Sequence, residues 1–167
     1  MSRFRVYLIL AAGLVLHLTI LDHFRIFGAK PDIMLIPVIF FGLFLGRRVG
    51  FESGLVAGLA KDLFAFDFFG INTSIFALTG YLAGVMGANL SRDSKKAQAL
   101  STVLFTVTTM TMHFIMVSIF LGRINLNFGE YLAASIIPSS VYTAALSIPI
   151  FAKLEQVFDI RSSEDYL

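Results

Sequence analysis

Long apolar runs separated by short polar punctuation set the pattern of this chain, and their spacing predicts six helices. The first, over residues 6–21, follows Arg3 and Arg5. No small-x-small cleavage site comes after it; Asp22-His23-Phe24-Arg25 stands there instead, so it reads as an uncleaved helix. Lys30-Pro31-Asp32 then interrupts the chain, with Asp32 placed to cap a second helix over 33–46 and Pro37 placed to bend it. Arg47-Arg48 end that segment. A third helix over 50–66 is short, about 25 Å against a hydrocarbon layer of about 30 Å. Phe64, Phe66, Phe68 and Phe69 mark its exit, and Gly70 and Asn72 mark the following turn. A fourth helix over 71–90, a fifth over 99–121 and a sixth over 131–151, bent at Pro138 and Pro149, complete the set. Residues 1–152 thus form one helical domain, and 153–167 form a polar tail.

Within the third helix Gly50, Gly54, Gly58 and Asp62 recur four apart, which places them on one face. Ser53, Ala57 and Lys61 make a second stripe beside it. Small residues at this spacing let helices approach backbone to backbone. The fourth helix carries its own small face at Gly80, Gly84 and Ala88, a natural mate. A carboxylate on such a face is too costly to point at lipid, so Asp62 should meet protein or water. Two readings stay open: close packing with Asp62 near a membrane surface, or a dedicated functional or partner-binding site.

Composition turns the helical pattern into a membrane pattern. The 167 residues are 57% hydrophobic and only 14% charged, against roughly 25% charged in soluble domains. Mean hydropathy is +0.82. The absence of cysteine excludes disulfides, thiolate zinc sites and cysteine nucleophiles. The net charge of +2 says little about nucleic acid, because basic residues in a membrane protein first mark the cytoplasmic side. With six spans and the N-terminus inside, Arg3, Arg5, Arg47, Arg48, Arg92, Lys95, Lys96, Lys153 and Arg161 fall inside. Only Arg25, Lys30, Lys61 and Arg123 of the thirteen basic residues fall outside. This bias predicts both termini in the cytoplasm; a re-entrant third helix would put Arg92, Lys95 and Lys96 outside.

No motif for catalysis, phosphate binding, metal or cofactor stands in the sequence. His17, His23 and His113 are scattered: His17 and His113 read as hydrogen-bonded packing residues and His23, beside Asp22, as solvated at the outer boundary, and acid–base work would need a positioned partner. Thr102, Thr106, Thr109 and His113 share one face of the fifth helix, either bonding back to their own helix or reaching across to another. Counted from the inner ends, Asp62 and His113 lie at similar heights, about 21 and 22 Å, which would let them pair; otherwise Asp62 caps a neighbouring helix or meets a partner protein near the outer surface. Lys61 should point away from them, toward the outer headgroups.

Pro31-Asp32, Arg48, the run from Gly50 through Leu63, Gly70-Ile71-Asn72 and Gly80-Tyr81-Leu82 together resemble the MreD family of bacterial rod shape-determining membrane proteins. The resemblance implies a non-enzymatic part of the elongation and peptidoglycan-synthesis machinery in the bacterial cytoplasmic membrane. It implies MreC, a single-span periplasmic protein, as the direct partner. Through MreC it implies links to MreB filaments, the RodA glycosyltransferase and a class B penicillin-binding transpeptidase. That family is similar in fold to the substrate-binding S components of energy-coupling-factor vitamin transporters, which supplies an alternative function. The AxxxA docking spacing common in the first helix of such components is absent, since Ala11-Ala12-Gly13 are contiguous.

Overall fold

The computed structural model describes residues 3–19, 31–64, 69–88, 94–121 and 127–160. His23, Phe66, Phe68 and the tail beyond residue 160 lie outside them. Six helices run through the described residues: α1 (Arg3–Thr19), α2 (Leu35–Leu45), α3 (Arg47–Phe64), α4 (Ile71–Gly87), α5 (Lys95–Leu121) and α6 (Phe128–Val157). The last helix continues past the expected end at 151, and Phe158 and Ile160 still pack against the core. The start of the expected polar tail is therefore part of the folded bundle.

Local chemistry explains the boundaries. Pro37 falls in the first turn of α2, where its missing N–H leaves no bond unmade, so it does not bend the helix. Only Gly46 separates α2 from α3, at φ +90°. That left-handed conformation suits glycine and lets the chain reverse in one residue. Pro138 follows a π-helical turn at Leu132–Ile136. The wider turn relieves the clash a proline ring makes with the carbonyl four residues earlier.

α2 is the axis of the fold. Residues Leu35 to Phe44 are all buried, and α2 touches each of the other five helices. Its eleven residues span only about 16 Å. A lipid-facing helix of that length would be too short, but α2 is wrapped by protein. Phe40 stacks on Phe44 with ring centroids 4.6 Å apart and meets Phe151 of α6 edge-on at 5.3 Å. In hydrocarbon surroundings such contacts stabilise through close packing, because no water is released when they form.

Three backbones converge where α2, α3 and α4 cross. A Cβ on Gly50 would lie 2.2 Å from the Gly80 carbonyl oxygen and 2.7 Å from the Gly42 Cα; one on Gly42 would lie 2.6 Å from the same oxygen. The contact continues along the antiparallel α3–α4 pair. Gly54 would meet the Phe76 carbonyl at 2.2 Å, and Gly58 the Thr73 Cα at 2.5 Å. Gly84 would meet the Arg47 Cα at 2.3 Å. No side chain of any kind fits at these positions.

The rest of the bundle is polar inside and apolar outside. Thr102, Thr106 and Thr109 of α5 and Ser139, Ser140, Thr143 and Ser147 of α6 are buried. Leu104, Ile115, Ile119, Val141 and Ile148 on the same helices are exposed. Both arrangements expected of the threonines occur: Thr102 and Thr106 donate to Gln98 and Thr102 carbonyls, while Thr109 shares a 2.9 Å hydrogen bond with Thr79 of α4. α5 and α6 are each long and apolar enough to cross a membrane, and α1, α2 and α4 are shorter apolar helices. One end collects six of the described basic residues, Arg5, Arg47, Arg48, Lys95, Lys96 and Lys153, while Lys61 lies at the other. At the basic end the Arg5 guanidinium donates to the Val157 carbonyl, bringing the start of α1 beside the end of α6.

Gly54→Leu should prevent assembly of the bundle, and Gly54→Ala should destabilise it by about 3 kcal/mol or more, since backbone must move to admit a methyl group. Gly50→Ala should be equally harmful, because α3 begins at Arg47 and Gly50 is not at its end. Gly129→Ala, where a Cβ meets nothing within 4 Å, should be neutral. Unfolding in detergent followed by circular dichroism reads all four.

Candidate functional site

The end opposite the basic residues is held by two neighbours on the last turns of α3, Lys61 and Asp62, which face different ways. Asp62 is 4% exposed and lies at the start of α4. Its carboxylate accepts from the backbone N–H groups of Gly70 (3.0 Å), Asn72 (3.0 Å) and Thr73 (2.9 Å). It also accepts from the Asn72 side-chain amide at 2.9 Å and from the Thr73 hydroxyl. The first N–H groups of a helix have no partner within it, and the helix dipole favours a negative charge at that point. α4 has no side-chain cap of its own, because Gly70 stands at its N-cap position with φ +102°. Asp62 supplies that cap from the preceding helix.

Of the expectations for Asp62, the cap on a neighbouring helix is the one found, in place of the pairing with His113. Both carboxylate oxygens are committed to α4, and α4 separates α3 from α5, whose Cα atoms nowhere come within 8 Å of α3. Equal height along two helices does not make them neighbours. His113 is half-buried on α5.

Lys61 does not reach outward to headgroups. Its ammonium lies 2.6 Å from the Asp32 carboxylate and 4.9 Å from the centroid of the Phe76 ring. Asp32 in turn does not cap α2 with its side chain; its carbonyl accepts from the Leu35 N–H at 3.1 Å. The Asp32 N–H donates to the Thr143 hydroxyl of α6 at 3.1 Å, and His17 of α1 lies within electrostatic reach. Asp32, just ahead of α2, therefore ties α3 and α6 together. The second oxygen of Asp32 is buried without a hydrogen-bond partner.

The residues singled out in the sequence occupy two adjoining regions. Gly50, Gly54, Gly58, Gly80 and Gly84 lie inside the contacts of α3 with α4, and that face is filled by the chain itself. Asp62 sits at the far end of the same contact. Sequence reasoning missed Gly42, which completes the three-helix crossing, and Gly87, whose Cβ would lie 2.3 Å from the Leu43 carbonyl oxygen. The spacing of Gly80, Gly84 and Gly87 was a readable signal for the second; a lone glycine in the apolar run of α2 was not. The Asp32–Lys61 pair spans 29 residues and has no local signature. Among the described residues no three histidine, cysteine, aspartate or glutamate side chains are grouped to hold a metal ion. What the cluster does chemically is neutralise buried charge and cap a helix.

Asp62→Asn should destabilise the protein by about 1 to 3 kcal/mol, because an amide group then faces N–H donors in a buried place. Hydrogen exchange should quicken at residues 70–73 while α5 is unaffected. Asp32→Ala and Lys61→Ala should each destabilise more than the other adds in the double variant, giving a coupling of about 1 to 3 kcal/mol in a double-mutant cycle.

A family model described as rod shape-determining protein MreD matches residues 1–158. No curated protein and no solved structure matches the chain. The family match extends through all six helices and ends where α6 and its following turn end, so the chain belongs to the MreD family of rod shape-determining proteins.

Proposed function

We propose that this chain crosses the bacterial cytoplasmic membrane six times, with both termini in the cytoplasm, and serves as a non-enzymatic scaffold for cell elongation. Its direct partner is MreC, bound within the bilayer. Through MreC it connects MreB filaments to the RodA glycosyltransferase and a class B penicillin-binding transpeptidase. The observation that carries the reading is the family match over residues 1–158, since the MreD family implies a role in rod shape determination. Three features support the membrane placement. Basic residues gather at one end, as the cytoplasmic side of a membrane protein requires. The Arg5–Val157 contact puts the first and last helix ends together. Apolar side chains cover the outside of helices whose insides carry hydroxyl groups. A bundle whose helices touch backbone to backbone suits a scaffold, which must hold its surfaces in fixed relation.

Affinity purification of the detergent-solubilised protein should recover a single-span periplasmic protein with a coiled coil, identified by mass spectrometry. Recovery of ATPase subunits in its place would reverse the reading toward an S component of an energy-coupling-factor transporter. Rod-shaped cells depleted of the protein should become round, and Gly54→Leu should fail to restore them.

A further inference from the structure

Arg47 and Arg48 open α3, and together with Phe51 one turn on and Tyr81 of α4 they line a groove of about 440 Å³. Its floor is rigid. Gly84 brings α4 against the backbone of Arg47 so closely that a Cβ there would lie 2.3 Å from the Arg47 Cα. Its walls are open: both arginines are exposed, as are Phe51 at 43% and Tyr81 at 40%. Among the described residues neither guanidinium takes part in an ion pair, and no acidic residue lines the groove. Exposed Leu55 and Leu78 continue the faces of Phe51 and Tyr81 toward the middle of the bundle. The groove thus has a doubly cationic mouth at the basic end and an apolar lane leading away from it.

We propose that this groove binds an anionic phospholipid of the cytoplasmic leaflet. The headgroup phosphate sits between the guanidiniums of Arg47 and Arg48, and an acyl chain lies along Phe51 and Tyr81. Guanidinium groups match phosphate oxygens in paired hydrogen bonds, and their attraction strengthens at the edge of a low-dielectric layer. Aromatic side chains settle at headgroup level, where one end is apolar and the other wet. The lane opens sideways toward lipid, so a ligand with one charged end and a long apolar body fills both parts. The inference rests on the membrane placement proposed above.

The chain contains no tryptophan, so Tyr81→Trp places a single fluorescent reporter in the groove. In vesicles, brominated phosphatidylglycerol should quench it with a relative association constant on the order of tenfold above that of brominated phosphatidylcholine. Adding Arg47→Gln and Arg48→Gln should bring that ratio to about one. Adding Lys95→Gln and Lys96→Gln, an equal loss of charge at the same end, should leave it in place. A ratio near one in the reporter protein would overturn the proposal. So would an equal loss with the lysine pair, which means diffuse surface attraction, or loss of the preference in millimolar inorganic phosphate, which means a free-phosphate site. Quenching by neither lipid would overturn the membrane placement as well. Should Tyr81→Trp fail to fold, Phe51→Trp on the other wall gives the same reading.

Discussion

The crossing of α2, α3 and α4 at Gly42, Gly50 and Gly80 is the contact on which the other helix positions depend. Three backbones meet there with no side chain between them, the Gly80 carbonyl serving as the shared point of approach. Helices in lipid gain nothing from hiding apolar surface, because hydrocarbon is already apolar. Association must come from van der Waals contact, and contact is greatest where backbones touch. From this crossing the α3–α4 contact runs as far as Asp62 at one end and Arg47 at the other. The one-residue reversal at Gly46 holds α2 against both. α2 can then be short and wholly buried, since its neighbours surround it on every side.

Charge at the far end serves the same geometry. Asp62 gives α4 the N-terminal cap that its own sequence lacks, and Lys61 draws in the segment before α2 through Asp32. Ionised groups at such depth are tolerable because each has a dedicated partner: five donors for Asp62, an ammonium for Asp32. The two residues are adjacent in sequence, yet about 100° of helical rotation sends them to different helices. Both hold neighbouring segments of the chain in place.

A rigid core and a varied rim suit a membrane scaffold. The glycine contacts leave little freedom inside, while exposed apolar side chains cover the outer rows of α1, α3, α4, α5 and α6. At the basic end the rim becomes charged, and Arg47 and Arg48 stand beside the tightest part of the α4 contact. Anything that binds there binds to a fixed surface and incurs little ordering cost on the protein side.

Much of the architecture was written in local sequence. Six helices, the glycine stripe of α3 and its mate on α4 follow from periodicity and residue size alone, because both are properties of one helix at a time. Asp62 could be assigned to a protected place, since lipid excludes a carboxylate, but not to a partner. Its alternatives, His113 and the start of α4, differ only in which helix stands next to α3, and helix height carries no information about helix neighbours. Asp32 shows the same limit: an aspartate before a helix reads as a cap, and only the fold brings Lys61 within 2.6 Å to claim it. Pro37 likewise reads as a bend until the helix start is known. Sequence determined which faces are small, polar or charged, because those are intrinsic to each helix. Tertiary structure decided which faces meet, because that depends on three backbones finding a common crossing.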